Sequence, residues 1–284
     1  MDVFKESLIE DLIVLALNED IGIGDCTTLS CVSWTATGRM HLLVKEDGIL
    51  AGVEAARKIF NYCDPRTDFV EYRSDKEKVQ RGDIAFEVFG SARSLLQIER
   101  FVLNVMQRMT GIANATKRYV DLLEGTKTRV LDTRKTAPGM RVLDKEAVRI
   151  GGGVNHRFGL YDMVLIKDNH IDFAGGVGKA IRKAKAFTGD MDEFILIEVE
   201  VRNFDELNEA LETGLVHRIM LDNFSVADTK QAVDLIAGRC ETESSGGITL
   251  DTARAYAEAG VDFISVGELT HSVKSFDLSL KFFE

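Results

Sequence analysis

The sequence lacks the features that mark membrane, secreted and disulfide-rich proteins. No stretch reaches the roughly 18–20 uninterrupted apolar residues that a membrane span needs. The first six residues lack the basic start and apolar centre of a signal peptide. Cys26, Cys31, Cys63 and Cys240 form no CxxC pair, so neither a disulfide framework nor a zinc site is indicated. We expect free thiols and a cytoplasmic location.

The chain also lacks an excess of basic charge. Its 35 Lys and Arg residues face 46 Asp and Glu residues, which gives a formal net charge of −11. Because nucleic-acid binding depends mainly on cations that neutralise phosphates, this balance argues against it. The net charge does not exclude anionic small molecules as ligands, since a basic cavity can lie within an acidic surface. With 45% hydrophobic residues over 284 positions, the chain can bury one large α/β core or two smaller ones.

The first third of the chain mixes helix and strand patterns without regular alternation. Residues 3–17 predict an amphipathic helix with Phe4 on its apolar face, and a glycine-punctuated loop is predicted at 19–28. Further short elements are predicted at 40–44, 53–61, 69–72 and 84–88. From Ser94 onward, apolar residues recur every three or four positions, which predicts a long helix. We expect a small α+β domain here.

After about residue 126 the pattern changes to alternating strands and helices. Six strand-like runs are predicted, at 129–132, 163–167, 194–200, 218–222, 240–243 and 263–267. Amphipathic helices are predicted between several of them, at 204–211, 226–236 and 250–259. This alternation predicts a parallel sheet, and repeated right-handed crossovers favour an α/β barrel. A full barrel of this type has eight strands, so this one is either incomplete or has irregular strands.

In a parallel barrel the active site lies where the strands end, and polar residues follow these strands. Glu200 and Asp222 suit magnesium, which binds one or two carboxylates together with substrate phosphate oxygens. Structural salt bridges are the alternative interpretation for Glu198 and Glu200. The run SSGG at 244–247, predicted to open a helix, offers backbone N–H groups to a phosphate, although an ordinary glycine turn would also explain it.

The segment 134–157 is rich in cations. Lys145 and Arg149 are four positions apart on a predicted helix, and we expect them on a solvated face. The other cations of interest lie in loops beside glycine and proline: Arg134, Lys135, His156 and Arg157. Guanidinium forks and ammonium charges in such loops suit carboxylates or phosphates.

Three motifs in this region resemble the signature of the quinolinate phosphoribosyltransferase family. They are DTRKTAPG at 132–139, GGGVNHR at 151–157 and LIKDNH at 165–170. The likeness extends over nearly the whole chain. It implies an N-terminal α/β sandwich over 1–113, onto which the tail 272–284 packs. It also implies a C-terminal incomplete TIM-like α/β barrel of six or seven strands over 114–271.

The resemblance further implies an activity. Quinolinate and phosphoribosyl pyrophosphate would give nicotinate mononucleotide, carbon dioxide and pyrophosphate, with Mg2+, in de novo NAD biosynthesis. The two carboxylates of quinolinate would be bound by Arg134, His156, Arg157 and Lys167. Arg100 would reach in from the partner subunit of a homodimer, and assembly of dimers into a hexamer is the wider alternative.

The resemblance assigns the remaining site residues to phosphoribosyl pyrophosphate. Lys135 and Lys167 would contact it, Glu200 and Asp222 would hold magnesium on its pyrophosphate, and these four are the expected catalytic residues. Its 5-phosphate would meet donors from Ser245, Gly246 and Gly267, with His271 nearby. Thr133 completes the substrate-binding set.

Three other functions are compatible with parts of the sequence. A paralogous phosphoribosyltransferase of the same fold, of the molybdenum-transport-associated type, would act on another acceptor. A barrel lyase would use Lys135 or Lys167 as a Schiff-base nucleophile. A binding or scaffold protein would not need the carboxylates of Glu200 and Asp222 beside the SSGG run.

Overall fold

The computed structural model describes residues 3–190 and 194–283. Its helices are α1 Val3–Ile21, α2 Cys26–Cys31, α3 Val53–Cys63, α4 Ala92–Leu122, α5 Arg141–Ile150, α6 Asp168–Ala174, α7 Val177–Gly189, α8 Phe204–Thr213, α9 Val226–Ile236, α10 Leu250–Glu258 and α11 Glu268–His271. Its strands are β1 Thr37–Val44, β2 Gly48–Ile49, β3 Asp68–Glu71, β4 Lys78–Val79, β5 Ile84–Ser91, β6 Arg129–Leu131, β7 Val164–Ile166, β8 Ile197–Val201, β9 Arg218–Asp222, β10 Glu241–Ser245, β11 Phe263–Ser265 and β12 Leu278–Phe283.

These elements divide between two compact units. The first comprises Met1–Lys117, Thr136–Gly152 and Leu269–Glu284, and the second comprises Arg118–Lys135 and Gly153–Glu268. The segment Thr136–Gly152, which is predicted to lie in the barrel domain, groups with the first unit. The domain boundaries near residues 113 and 271 stay predictions.

The first unit is built on a four-stranded antiparallel sheet in the order β12-β1-β5-β3. Burial alternates along β1, where Met40, Leu42 and Val44 face the core, as the two-residue period of a strand requires. Helix α3 contributes Phe60, whose ring lies edge-on to that of Phe86 on β5 at 6.3 Å. Strand β12, within the C-terminal tail, pairs with β1 and so belongs to this sheet.

Three local expectations for this unit are wrong. Phe4 is exposed, and α1 buries Ile9 and Ile13 instead. The predicted loop at 19–28 is shorter, because α1 continues to Ile21 and the Asp25 carboxylate caps α2 by accepting from the Thr28 N–H. Lys145 is buried on α5, whereas Arg149 is exposed and pairs with Glu146.

The second unit contains a parallel sheet whose six strands follow the order β6-β11-β10-β9-β8-β7. Among the described residues no ladder joins β6 to β7, so the barrel is open at that point. An isolated parallel bridge pairs Val154 with Leu131 of β6. The predicted incomplete α/β barrel is confirmed, and each observed strand overlaps its predicted run.

Strand β8 shows how this sheet separates core from site. Ile197, Val199 and Val201 belong to the apolar core formed with the surrounding helices. Because side chains alternate along a strand, Glu198 and Glu200 point to the opposite face, inside the barrel, and both are buried. None of the described helices is both long and apolar enough to cross a membrane.

Gly111 provides a test of the packing in the first unit. A Cβ at this position of α4 would lie 2.2 Å from the carbonyl oxygen of Lys274. We expect Gly111→Ala to lower the free energy of unfolding by about 2–3 kcal/mol, because backbone cannot move aside as a side chain can. Urea denaturation measures this, with Asn104→Ala, an exposed position on the same helix, as the control. Equal stability of the two variants would contradict the close packing.

Candidate active site

The carboxyl ends of the barrel strands surround a cavity of about 190 Å3. Its lining consists of Thr133, Arg134, Lys135, His156, Arg157, Leu165, Lys167, Met220, Glu243, Ser245 and Ser265. Thus most of the predicted substrate-binding residues of the second unit line one small space. The combination of several cations with a carboxyl group and hydroxyl groups is typical of a site for anionic substrates.

Arg134 and Arg157 give this cavity its positive character. Both are partly buried, and within the described residues neither Nε atom meets a hydrogen-bond acceptor. The guanidinium of Arg157 donates through Nη1 to the carbonyl oxygen of Met163 at 3.1 Å. Burial, reinforced by the charge of Arg134, lowers the pKa of Arg157 below its usual value. Two neighbouring guanidinium groups with unused donors would gain strongly from a bound anion.

Lys167 follows β7 directly and is exposed at the cavity rim. Its Nζ donates to Glu200 Oε2 at 2.6 Å, and the Glu200 side chain is only 9% exposed. The backbone N–H of Lys167 donates to His170 Nδ1, which fixes the start of α6. The structure therefore brings the predicted catalytic residues Lys167 and Glu200 into direct contact.

Asp222 and Gly246 are linked through Asn223, which the sequence analysis did not select. Asn223 has φ 56°, a left-handed conformation that asparagine adopts more readily than most residues. Its Nδ2 donates to Asp222 Oδ2 at 2.8 Å, and its backbone N–H donates to the carbonyl oxygen of Ser245. A Cβ on Gly246 would lie 2.1 Å from Asn223 Oδ1, so only glycine fits there.

The SSGG run does not open a helix directly. Ser244 and Ser245 complete β10, Gly246 and Gly247 adopt positive φ angles of 99° and 61°, and α10 begins only at Leu250. The loop therefore still presents backbone N–H groups after a late barrel strand, where parallel barrels often bind phosphate. The prediction that this run opens a helix is therefore wrong, because the glycine turn separates it from the start of α10.

Buried charged groups that were not predicted as site residues lie beside His156, and one of them, Glu243, lines the cavity. Glu198 and Glu243 are completely buried, and each has a carboxylate oxygen near His156 Nε2, at 3.1 Å and 3.6 Å. Arg218 Nη1 lies 3.2 Å from Glu243 Oε2 and 3.9 Å from Glu198 Oε2. The Arg218 guanidinium also stacks on Phe263, 4.2 Å from the ring centre.

Burial dominates the ionisation of both carboxyl groups. Desolvation raises the pKa of Glu198 to about 7, against the opposing charge of Arg218. Desolvation and the neighbouring Glu198 charge raise the pKa of Glu243 to about 8. Two carboxyl groups this close share protons, so the pair titrates as a unit near neutral pH.

Asp132 holds the loop that carries these residues. It is completely buried at the end of β6, accepts the backbone N–H of His156 at 2.8 Å, and accepts Nδ2 of Asn155 at 2.6 Å. The GGGVNHR motif is thereby attached to the first barrel strand. This contact explains why residues 23 and 24 positions apart in sequence appear together in the site.

The remaining predicted residues are distributed over both units. Gly267 follows β11 in the second unit. Arg100 and His271 belong to the first unit; Arg100 is exposed on α4, and His271 Nδ1 lies 2.7 Å from Ser272 Oγ. The roles of all three stay predictions.

A wider cavity of about 640 Å3 opens at the amino ends of the strands, beside Arg129, Glu241 and Phe263. It is a poorer candidate for chemistry, because parallel barrels place their active sites at the carboxyl ends. Its Lys127 is already paired with Asp262 at 2.7 Å. We therefore assign the candidate site to the smaller, cation-rich cavity.

The fold and the site define an α/β-barrel enzyme that binds anionic substrates at the carboxyl ends of its strands. Family models for the C-terminal and N-terminal domains of quinolinate phosphoribosyl transferase match residues 112–281 and 25–110. The chain belongs to the quinolinate phosphoribosyltransferase family, as its motifs indicate.

Named relatives and solved structures agree with this assignment. The chain is 45% identical to quinolinate phosphoribosyltransferase [decarboxylating] 2, mitochondrial, of Nicotiana glauca, covering 96% of this chain and 82% of the relative. It is 41% identical to a probable nicotinate-nucleotide pyrophosphorylase [carboxylating] of Bacillus subtilis, covering 92% and 89%. The structure of NadC from Streptococcus pyogenes is similar with a TM-score of 0.89, 40% identity and 97% coverage of both chains.

The ionisation of Glu243 leads to a pH-dependent stability. Its pKa is raised from 4.5 to about 8, so between these values the folded chain holds more protons than the unfolded chain. Its contribution to stability therefore falls as pH rises through this range. We expect Tm to fall more steeply between about pH 5 and about pH 8 in the wild type than in Glu243→Gln, whose amide does not titrate. Thermal melts measure this, with exposed Glu241→Gln as the control; parallel wild-type and Glu243→Gln curves would contradict it.

Proposed function

We propose that this protein transfers the phosphoribosyl group of phosphoribosyl pyrophosphate to quinolinate. Decarboxylation follows, and the products are nicotinate mononucleotide, carbon dioxide and pyrophosphate, a step of de novo NAD biosynthesis. Membership of the family supports this reaction. The observation that carries it is the pair Arg134 and Arg157, whose buried Nε donors face the cavity without an acceptor among the described residues.

The acceptor site suits an aromatic dicarboxylate. Arg134, Arg157 and Lys167 supply separate cations, so two carboxylates on one ring can each find a partner. Leu165 and Met220 supply apolar surface for the ring. We infer a homodimer in which Arg100 of one subunit completes the acceptor site of the other, because Arg100 is exposed on α4. Hexamer formation stays a prediction.

Phosphoribosyl pyrophosphate occupies the remaining part of the site in this proposal. Lys135 and Lys167 contact its pyrophosphate, and Thr133 lies beside them at the end of β6. The 5-phosphate is bound by donors from β10 and the loop after it and from the residues that follow β11: Ser245, Gly246 and Gly267. The left-handed turn at Gly246 supports this, since a side chain there would collide with Asn223.

Magnesium is part of the proposal. Glu200 and Asp222 end adjacent strands β8 and β9, and a pair of carboxylates is the donor type that this hard cation prefers. Their chemistry therefore fits magnesium, with Glu200 sharing its charge between the metal and Lys167. When bound, magnesium supplies positive charge to the pyrophosphate of the substrate. Asn223 orients Asp222 for this role through its Nδ2.

The chain's own residues contribute mainly positioning and charge. The ring nitrogen of quinolinate forms a bond to the anomeric carbon as the bond to pyrophosphate breaks, through an oxocarbenium-like sugar. Lys135 and Lys167 stabilise the negative charge that develops on the leaving group. The ribosylated nitrogen is cationic and stabilises the carbanion that remains on the adjacent ring carbon when its carboxylate departs as carbon dioxide. The ring carbon then takes up a proton, so no separate decarboxylation cofactor is needed.

The alternative functions find less support. A Schiff-base lyase needs a neutral lysine amine, whereas Lys167 is ion-paired with Glu200. The family match disfavours both a scaffold role and the molybdenum-transport-associated paralogue. A cytoplasmic location stays a prediction, since plant relatives are named mitochondrial or chloroplastic.

Arg134→Ala tests the acceptor assignment. We expect kcat/KM for quinolinate to fall at least about 100-fold, because a carboxylate loses its charged donor inside a partly buried cavity. Carbon dioxide and pyrophosphate release measure turnover, and circular dichroism verifies the fold. Arg149→Ala, which removes an exposed arginine, is the control. Near wild-type activity of Arg134→Ala, or equal turnover of nicotinate by the wild type, would refute the assignment.

Asp222→Asn tests the metal assignment. We expect the magnesium concentration for half-maximal activity to rise about tenfold, because the amide is a weaker ligand of a hard cation. Titration of magnesium at saturating substrates measures this shift. Asp234→Asn, an exposed position on α9, should match the wild type. An unchanged magnesium requirement in Asp222→Asn would count against its role.

A further inference from the structure

Tyr119 is a polar residue buried near the end of α4. It is only 1% exposed, although its side chain carries a hydroxyl group. That hydroxyl donates to Glu268 Oε1, across 149 positions of sequence. Both residues belong to the second unit, and Glu268 is exposed. The carboxylate of an exposed residue is therefore bonded to a donor that lies inside the unit.

Glu268 stands next to the proposed phosphate subsite. It follows Gly267 directly, and Gly267 binds the 5-phosphate together with Gly246 in the proposed function. An ionised carboxylate only accepts hydrogen bonds, so it cannot donate to a phosphate, and its charge repels a dianion. Unless the chain holds this charge to one side, the charge opposes binding of the 5-phosphate.

The hydroxyl of Tyr119 is suited to hold this charge. Burial, together with the hydrogen bond to Glu268 and its negative charge, raises the pKa of Tyr119 above its ordinary value, so the hydroxyl stays a donor. Arg118 and Asp251 also act on it through their charges. Asp251 lies in the first turn of α10, which follows the glycine turn after β10. Tyr119 is therefore a buried donor close to the residues that follow both β10 and β11.

We propose that Tyr119 is a positioning residue that directs the carboxylate of Glu268 away from the 5-phosphate subsite, so that the residues after β11 can bind a dianion. Hydrogen bonds to a charged acceptor are stronger than those between neutral groups, which makes the buried hydroxyl an effective anchor. This inference deepens the proposed function and rests on its placement of the 5-phosphate. The alternative is that Glu268 only supplies an acceptor for a buried hydroxyl, without an effect on ligand binding.

Two substitutions of Glu268 separate these roles. Glu268→Asp keeps the charge but shortens the side chain by one methylene, which takes the carboxylate out of reach of Tyr119. Glu268→Gln removes the charge and keeps an oxygen that can accept from Tyr119. We expect Kd for ribose 5-phosphate, measured by isothermal titration calorimetry, to rise about fivefold in Glu268→Asp and to change less than about twofold in Glu268→Gln. Equal Kd values for the two variants would overturn the proposal.

A double substitution tests the hydroxyl itself. Tyr119→Phe removes the donor but leaves the ring and the Glu268 charge in place. We expect Kd for ribose 5-phosphate to rise about fivefold in Tyr119→Phe, and adding Glu268→Gln to restore it to within about twofold of the wild type, because the released charge is then absent. Adding Glu258→Gln instead, which removes an exposed acid of α10, should not restore binding. A loss that persists with Glu268→Gln, or no loss in Tyr119→Phe, would overturn the proposal; if Tyr119→Phe does not fold, the two Glu268 variants decide.

A second ligand shows whether the effect is confined to the subsite. Pyrophosphate is expected at Lys135 and Lys167, so its Kd in the presence of magnesium should change less than about twofold in Glu268→Asp. Equal weakening of both ligands would overturn the proposal, because it would indicate a general loss of structure. A wild type that binds ribose 5-phosphate but does not turn over quinolinate would refute the proposed function, and the Kd values would still decide the role of Tyr119. Absence of ribose 5-phosphate binding by the wild type would overturn the subsite and this inference with it.

Discussion

The buried charges at the carboxyl end of the barrel impose the constraint on which the rest of the structure depends. An anion site must keep cations unneutralised in a small cavity, yet buried charge is costly unless it is compensated. Here different residues meet these two requirements. Arg134 and Arg157 face the cavity with unused donors, while Arg218 lies close to the completely buried Glu198 and Glu243 and compensates their charge.

The open barrel makes this separation possible. Alternation along β8 directs apolar residues to the helices and Glu198 and Glu200 to the interior, so one strand serves both the core and the site. Loops after neighbouring strands then bring together motifs distant in sequence. Asp132 illustrates the effect, because its carboxylate at the end of β6 holds the backbone of His156.

Much of the fold could be predicted from periodicity. The barrel strands and helices α8 to α10 lie close to their predicted ranges, since each combines an apolar face with polar or glycine ends. The long helix after Ser94 was predicted, although α4 begins at Ala92 and continues to Leu122. The predictions failed where tertiary contacts override local pattern, as with buried Lys145 and exposed Phe4.

The sequence by itself determined the family, the barrel and the identity of the cations, because ordered motifs and strand-end positions are local properties of the chain. It could not reveal that Glu243 and Arg218 belong beneath His156, since a carboxylate on a strand looks the same whether it faces solvent or a buried partner. Only the tertiary structure decided which charges are neutralised within the chain and which stay available to a substrate. That division depends on distances of a few ångströms between residues far apart in sequence.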